Sequence, residues 1–169
     1  HFFAPVPLVW EPYVMAVLVA VIPTLIFTTG LAVLLVTLVR SQAVVFVVIV
    51  AIGVVSVTVV GFRYFFFLDV FAFHIPMMWS DFVGAGNETQ LLLVRGTHLL
   101  FGLACIAVTP LLSRRLPQSM LASAAAVVVA LACAGGAGWA GYTYMDSRWS
   151  ERDHRTHLRQ LSGEASKLR

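Results

Sequence analysis

Three ionisable side chains, Asp69, His74 and Asp81, lie near one another in a sequence that is otherwise poor in charge. Pro76 and many bulky apolar residues lie beside them in the stretch "FAFHIPMMWSDFVGAG", residues 71–86. Within a lipid bilayer, carboxylate and imidazole groups commonly bind a proton or an ion, or line a substrate path. A structural interpretation is also open, in which the two aspartates cap short helices by accepting hydrogen bonds from free backbone N–H groups.

The remaining histidines do not form a pattern that predicts catalysis. His98 is the one histidine inside a long apolar stretch, and its position near a helix end favours packing or an interfacial role. His154 and His157 have the i, i+3 spacing of a metal-ligand pair on a helix. They lie among arginines and aspartates in a polar tail, so a solvated helix face is the favoured interpretation. No catalytic residue, metal site, cofactor or enzymatic activity is predicted.

Composition predicts that most of this chain is embedded in a lipid bilayer. Of its 169 residues, 60% are hydrophobic and only 11% are charged, and the mean hydropathy is +0.91. Soluble domains have roughly 25% charged residues. The sequence has neither a GxxxxGK[ST] phosphate loop nor an HExxH zinc helix, so nothing predicts that the chain hydrolyses ATP itself. The lipid bilayer is predicted as a partner of the chain, and nucleic acid is not.

The charge-free runs set the number of membrane spans. They cover residues 12–39, 41–62, 96–113 and 116–145, each near or above the ~18–20 residues that a helix needs to cross a bilayer. We therefore predict an all-α polytopic membrane protein with four transmembrane helices near 12–39, 43–60, 96–112 and 119–142. Between the second and third, residues 71–84 are too apolar to lie in water, so we predict a short re-entrant helical element packed against those two helices.

Residues 1–145 are predicted as a transmembrane domain that is a fragment of a longer protein, and residues 146–169 as a soluble, partly helical tail. The two short turns carry Arg40, Arg114 and Arg115, whereas the opposite face carries Arg63 and Arg95. Because short cytoplasmic loops are rich in arginine and lysine, the turns are predicted to be cytoplasmic and the tail to lie outside.

Small and helix-breaking residues predict where the helices bend and approach one another. Pro23 predicts a kink or tilt in the first helix. Gly30 and neighbouring threonines form a stripe suited to close helix contact, although glycine and threonine are also simply tolerated in membrane helices. Cys105 and Cys133 lie in apolar spans and are interpreted as small buried hydrophobes. The stripe and the glycines of the last helix comprise Thr24, Thr28, Thr29, Gly30, Gly135, Gly136, Gly138 and Gly141.

The order of several segments carries a resemblance to a known family. "PTLIFTTGLAVLLVTLVRSQAVVFVVIV" is followed by "FLDVFAFHIPMMWSDFVG", then by "RGTHLLFGLACIAV" and "RRLPQS". This order resembles the membrane region of bacterial ABC transporter permeases of the type-two exporter class, closest to the large forms with extracytoplasmic domains. The resemblance implies a permease segment that forms part of a translocation path in the bacterial inner membrane. It also implies a multi-pass topology and a separate ATP-binding ABC subunit that supplies the energy.

The same resemblance implies that residues 69–86 are the re-entrant element, with Asp69, His74, Pro76 and Asp81 along it or along the substrate path. A second permease half or a homodimer is the implied membrane partner. The chain departs from the family pattern because it shows no obvious coupling helix for the ATPase. A structural membrane anchor or assembly subunit of a larger membrane complex therefore stays open as the alternative.

Overall fold

A computed structural model describes residues 10–56, 58, 64–65, 67–71, 79–80, 84–113 and 119–167. This part of the chain is almost entirely helical, which confirms the all-α part of the predicted fold class. Its elements, in chain order, are α1 (Glu11–Ala16), a π-helical turn (Val17–Val21), α2 (Ile22–Val39), α3 (Gln42–Val55), the short strands β1 (Trp79–Ser80) and β2 (Gly84–Ala85), α4 (Glu88–Leu112) and α5 (Met120–Lys167).

Three helices of the described chain are long and apolar enough to cross a membrane: the continuous run Glu11–Val39, α4 and α5. The chain is accordingly a candidate membrane protein. Helix α3 is also apolar, but its 14 residues are fewer than the ~20 that a membrane crossing needs. The predicted second span, 43–60, includes positions outside the described residues, and the count of four spans is not confirmed.

The first helix changes geometry where the proline enters it. Pro23 has no backbone N–H, and in a regular α-helix its ring would meet the carbonyl group four residues earlier. The π-helical turn Val17–Val21 lies directly before α2, in which Pro23 is buried in the first turn. An inserted π turn is one of the usual causes of helix irregularity. The helix is therefore irregular just before Pro23, where the sequence predicts a kink or tilt.

Only Arg40 and Ser41 separate α2 from α3. Arg40 adopts the left-handed conformation, with φ 57°, and its N–H donates to the carbonyl oxygen of Val36 at 2.9 Å. A left-handed residue after the last helical turn is a common way to end a helix. Ser41 is extended and starts α3. The predicted tight turn between the two helices is confirmed.

Helix α4 begins at Glu88, eight residues earlier than the predicted start at 96, so that boundary was wrong. The prediction required a charge-free helix and stopped after Arg95, which in the structure is a buried residue of α4. Helix α4 packs between α2 and α5. Six of its buried residues fall on one face at the helical period and so form one stripe: Leu91, Val94, Arg95, His98, Gly102 and Cys105. Buried Ala104 lies on the other side of the helix.

Two glycines let α2 and α4 cross with their backbones in contact. A methyl group added at Gly30 would overlap the Gly102 carbonyl oxygen, and one added at Gly102 would lie 2.6 Å from the Ile26 carbonyl oxygen. Small residues permit this close approach in membrane helices. The predicted contact role of Gly30 is confirmed.

The glycines of helix α5 differ in how closely other side chains pack against them. A methyl group at Gly136 would lie 3.1 Å from the Leu100 side chain, and one at Gly141 would lie 2.9 Å from the Phe67 ring. Gly135 and Gly138 face open space among the described residues. The predicted tight packing therefore applies to the first pair and not to the second.

Helix α5 runs for 48 residues without interruption. It starts after Ser119, whose hydroxyl accepts a hydrogen bond from the Ala122 N–H at 3.2 Å. A separate short helix was expected in the tail, but the polar residues from Asp146 onward continue the apolar helix as one element. The boundary at 145 is a change of composition and not of backbone geometry.

Residues 71–84 were predicted as short helices. The described part instead pairs β1 with β2 in antiparallel fashion, Trp79 opposite Ala85 and Ser80 opposite Gly84. The predicted helix is not found at these positions. Residues 72–78 and 81–83 lie outside the described chain.

Alanine at Gly102 is expected to weaken the α2–α4 crossing by about 1–3 kcal/mol, because its methyl group meets backbone atoms that cannot rotate away. The free energy of unfolding in detergent micelles measures this loss. Gly96→Ala is the matched control in the same helix, since no described residue lies within 4 Å of the added methyl group. That control should be neutral or slightly stabilising because alanine favours helix. Equal effects of the two substitutions would contradict the proposed crossing.

Candidate functional site

A buried ion pair lies between α4 and the connection that follows α3. Arg95 Nη2 and Asp69 Oδ2 are 3.7 Å apart, and each side chain is only 1% exposed. Removing two charges from water costs several kcal/mol for each ion, and their mutual attraction offsets this only when the geometry is good. Charges in such a setting are retained where they are paired, and they are often functional.

The Val70 carbonyl group joins this pair to a third part of the chain. Its oxygen accepts hydrogen bonds from Arg95 Nη1 at 3.2 Å and from the Thr24 hydroxyl at 2.9 Å. Thr24 belongs to α2, Arg95 belongs to α4, and Val70 follows Asp69 in the connection. One backbone carbonyl therefore ties the connection to both helices.

The Arg95 guanidinium keeps unused donor capacity. Its Nε and Nη2 atoms are buried and make no hydrogen bond with any residue that the structure describes. A buried N–H group without an acceptor costs about 1–3 kcal/mol, and more when it is charged. A carbonyl, a carboxylate or a small anion would satisfy these donors, so the site is suited to holding negative charge beside Asp69.

His98 lies one helical turn after Arg95 on the same stripe. Its Nδ1 atom is 2.7 Å from the Val94 carbonyl oxygen, and because a carbonyl only accepts, Nδ1 is assigned as the donor. The ring meets the Phe27 ring edge-on at 5.2 Å. The packing role expected for His98 fits this burial. With Nδ1 assigned as the donor, Nε2 is the second polar atom of the ring.

Aromatic rings of the connection link this region to α5. The Phe67 ring lies 6.3 Å from the His98 ring and stacks with Tyr144 at 5.8 Å. The fully buried Tyr144 donates its hydroxyl hydrogen bond to the Phe65 carbonyl oxygen at 2.7 Å. Phe65 has φ 52°, a conformation that a bulky residue rarely adopts. The tyrosine bond therefore fixes an unusual turn of the connection against α5.

Of the four predicted site residues, Asp69 lies at the centre of this arrangement. It forms the ion pair with Arg95, a contact that neither interpretation of the sequence included. His74, Pro76 and Asp81 lie outside the described residues, and their placement stays a prediction.

Arg95 and Thr24 were not predicted as site residues. The charge criterion assigned Arg95 to the membrane surface, although the apolar period of Leu91, Val94 and His98 already places it on the buried face of a helix. Thr24 was named only for its small size. The hydrophobic period of residues 88–105 was therefore the signal that could have identified Arg95.

The described residues hold no group of three or more His, Cys, Asp or Glu side chains arranged for a metal ion. His154 and His157 are exposed on α5. The site around Arg95 consists of an ion pair and open hydrogen-bond donors. Its described residues do not place a nucleophile beside a general base.

Arg95→Met is expected to lower the free energy of unfolding by about 3–5 kcal/mol, because the buried Asp69 carboxylate would lose the positive charge of Arg95. The double variant Asp69→Leu/Arg95→Met should be closer to the wild type than Arg95→Met alone, since it leaves no charge unpaired. Unfolding in detergent micelles measures both.

The matched control is Arg159→Gln, which removes an exposed arginine of α5 and should change stability by less than about 0.5 kcal/mol. A cost for Arg95→Met no larger than that of this control would contradict the buried pair.

No protein-family model matches the chain, and no curated protein or solved structure matches it. The function is therefore argued from the residues and contacts of the chain itself.

Proposed function

We propose that the chain is a membrane-spanning permease segment of an ABC-type export system, which forms part of the translocation path and is energised by a separate ATPase. The buried Asp69–Arg95 pair is the observation that supports this proposal most directly. Two apolar side chains would hold α4 and the connection together at lower cost. A charged pair next to candidate membrane spans is more readily understood as a part of a path for a polar or charged substrate.

The re-entrant element of this proposal is the connection that contains Asp69, His74, Pro76 and Asp81. Its described residues already contact helices on several sides. The Phe71 ring lies where a methyl group at Gly53 of α3 would meet it at 2.7 Å, and the Val70 carbonyl group is bonded to α2 and α4. Such contacts suit an apolar connection that returns to the side from which it came.

The proposal also includes four spans in the bacterial inner membrane, with α3 extended to about residue 60 as the second. The Arg40 turn and the turn before α5 then lie in the cytoplasm, and the polar half of α5 lies outside. A second permease half or a second copy of the chain completes the path, and an ATP-binding ABC subunit docks from the cytoplasm.

A membrane anchor or assembly subunit is the second candidate, and one observation favours it. The 48 residues of α5 continue as a single helix from apolar to polar sequence, as expected of a stalk that carries another domain. An anchor needs no ATPase and no polar path. Loss of the buried charges should then affect stability and function together.

Topology gives one test. In a background with Cys105 and Cys133 replaced by alanine, a cysteine at Ser147 should react with an impermeant thiol reagent in intact cells. A cysteine at Ser41 should react only after the cells are opened, because its turn lies in the cytoplasm. The reverse labelling pattern would invert the assignment. Labelling of both positions in intact cells would place them on the same side of the membrane and so contradict the three spans proposed between them.

The function itself is tested by co-purification and ATP hydrolysis. The tagged chain, isolated from its native membranes, should bring down an ATPase subunit with a Walker A motif, and the complex in nanodiscs should hydrolyse ATP. The variant Asp69→Leu/Arg95→Met should keep the complex assembled and lower its hydrolysis at least tenfold. Asp81→Asn should lower it as well, without loss of assembly.

Absence of any ATPase from the purified complex would favour the anchor. The anchor would also be favoured if ATP hydrolysis by these variants fell only in proportion to their loss of stability.

A further inference from the structure

Four arginines line one groove on the polar half of α5. Arg148, Arg152, Arg155 and Arg159 follow one another at spacings of four, three and four residues, so they lie on one face of the helix. The open groove that they line has a volume of about 350 Å³. Its remaining lining residues are Phe65, Glu151 and Thr156.

The groove begins where the apolar sequence of α5 ends. Arg148 lies 5.6 Å above the ring of the buried Tyr144, and Arg152 lies 5.4 Å from the ring of Trp149. Trp149 in turn meets Phe65 edge-on at 5.5 Å. Tryptophan and tyrosine are enriched at the boundary between hydrocarbon and headgroups. The arginines therefore start at headgroup depth.

The charge of the groove is unbalanced. Among the described residues that line it, Glu151 is the single carboxylate, and it bonds Arg155 at 2.6 Å and Arg148 at 3.1 Å. These hydrogen bonds, the one from Arg155 foremost, hold the pKa of Glu151 below its ordinary value, so it is ionised at neutral pH. With four guanidinium groups against one carboxylate, the groove keeps three positive charges in excess.

Several donors of these arginines remain open. Arg148 Nε is buried and makes no hydrogen bond with the described residues. Arg152 and Arg159 are exposed and, within the described chain, make no ion pair. Guanidinium groups bind phosphate oxygens through two parallel hydrogen bonds, which an ammonium group does not reproduce.

We propose that this groove binds the phosphate group of an anionic phospholipid at the membrane surface. The exposed Trp149 ring places the nearest donors, Arg148 and Arg152, beside lipid headgroups, and the charge excess selects a headgroup with net negative charge. Basic clusters next to a membrane helix are attracted to anionic lipid by about 1 kcal/mol for each arginine. The site would fix the height and rotation of α5 at the bilayer surface, whether or not the chain transports anything.

The test uses the full chain in vesicles of phosphatidylcholine with or without phosphatidylglycerol. A photoreactive residue replaces Thr156, which lines the groove, or His157, which lies at the same depth on the opposite face of α5. Cross-linked lipid is identified by mass spectrometry. Phosphatidylglycerol should be captured from position 156 several times more often than its share of the bilayer, and from position 157 only in proportion to that share.

Arg152→Gln and Arg159→Gln should each reduce the capture at position 156 about fivefold. Neither side chain pairs with Glu151, so folding should be unaffected, and circular dichroism and unfolding check this. Arg159→Lys should retain part of the capture because it keeps the charge and loses the paired hydrogen bonds.

A free phosphate ion is distinguished by competition. Inorganic phosphate, compared with chloride at matched ionic strength, should leave the capture of phosphatidylglycerol unchanged. Suppression by inorganic phosphate would assign the groove to a soluble phosphate and overturn the lipid assignment. Equal capture at positions 156 and 157, or capture that survives both glutamine substitutions, would overturn the proposal altogether.

Discussion

A charged side chain that is buried among apolar helices must stay next to its counter-charge, and this constraint organises the rest of the fold. Arg95 and Asp69 satisfy it across the interface between α4 and the connection. Because Arg95 also donates to the Val70 carbonyl group, the pair fixes how α4 is rotated about its own axis. Gly102 lies two helical turns further along the same stripe, so this rotation also directs it towards α2. The tight crossing of α2 and α4 and the position of the connection are therefore set together.

The elements that depend on local chemistry were predictable from the sequence. Apolar length, the missing N–H of Pro23 and the small size of Gly30 act within a few residues of where they occur. They correctly indicated a helical fold with long apolar helices, an irregularity in the first helix and a close helix contact. The two-residue turn at Arg40 followed from the spacing of two apolar runs.

The elements that depend on tertiary pairing were not predictable in the same way. Counting charges treats every arginine as a group that seeks water, so α4 was started too late and Arg95 was placed at the surface. Its true environment depends on Asp69, which is distant in sequence and was interpreted as a helix cap or a path residue. Trp79 and Ser80 were assigned to a helix on burial alone, whereas their backbone pairs with Gly84 and Ala85. The site was thus found through Asp69, and its partner was missed.

The unbroken helix α5 gives the molecule a mechanical property. At about 1.5 Å per residue, its 48 residues form a rod about 72 Å long, with no hinge where the sequence passes from apolar to polar. A torque or a sideways force on the polar end would turn Tyr144 with it, and Tyr144 holds the strained Phe65 turn through a single hydrogen bond. Tyr144 lies near the middle of this rod, so a force on the polar half of α5 would be transmitted to the connection that carries Asp69.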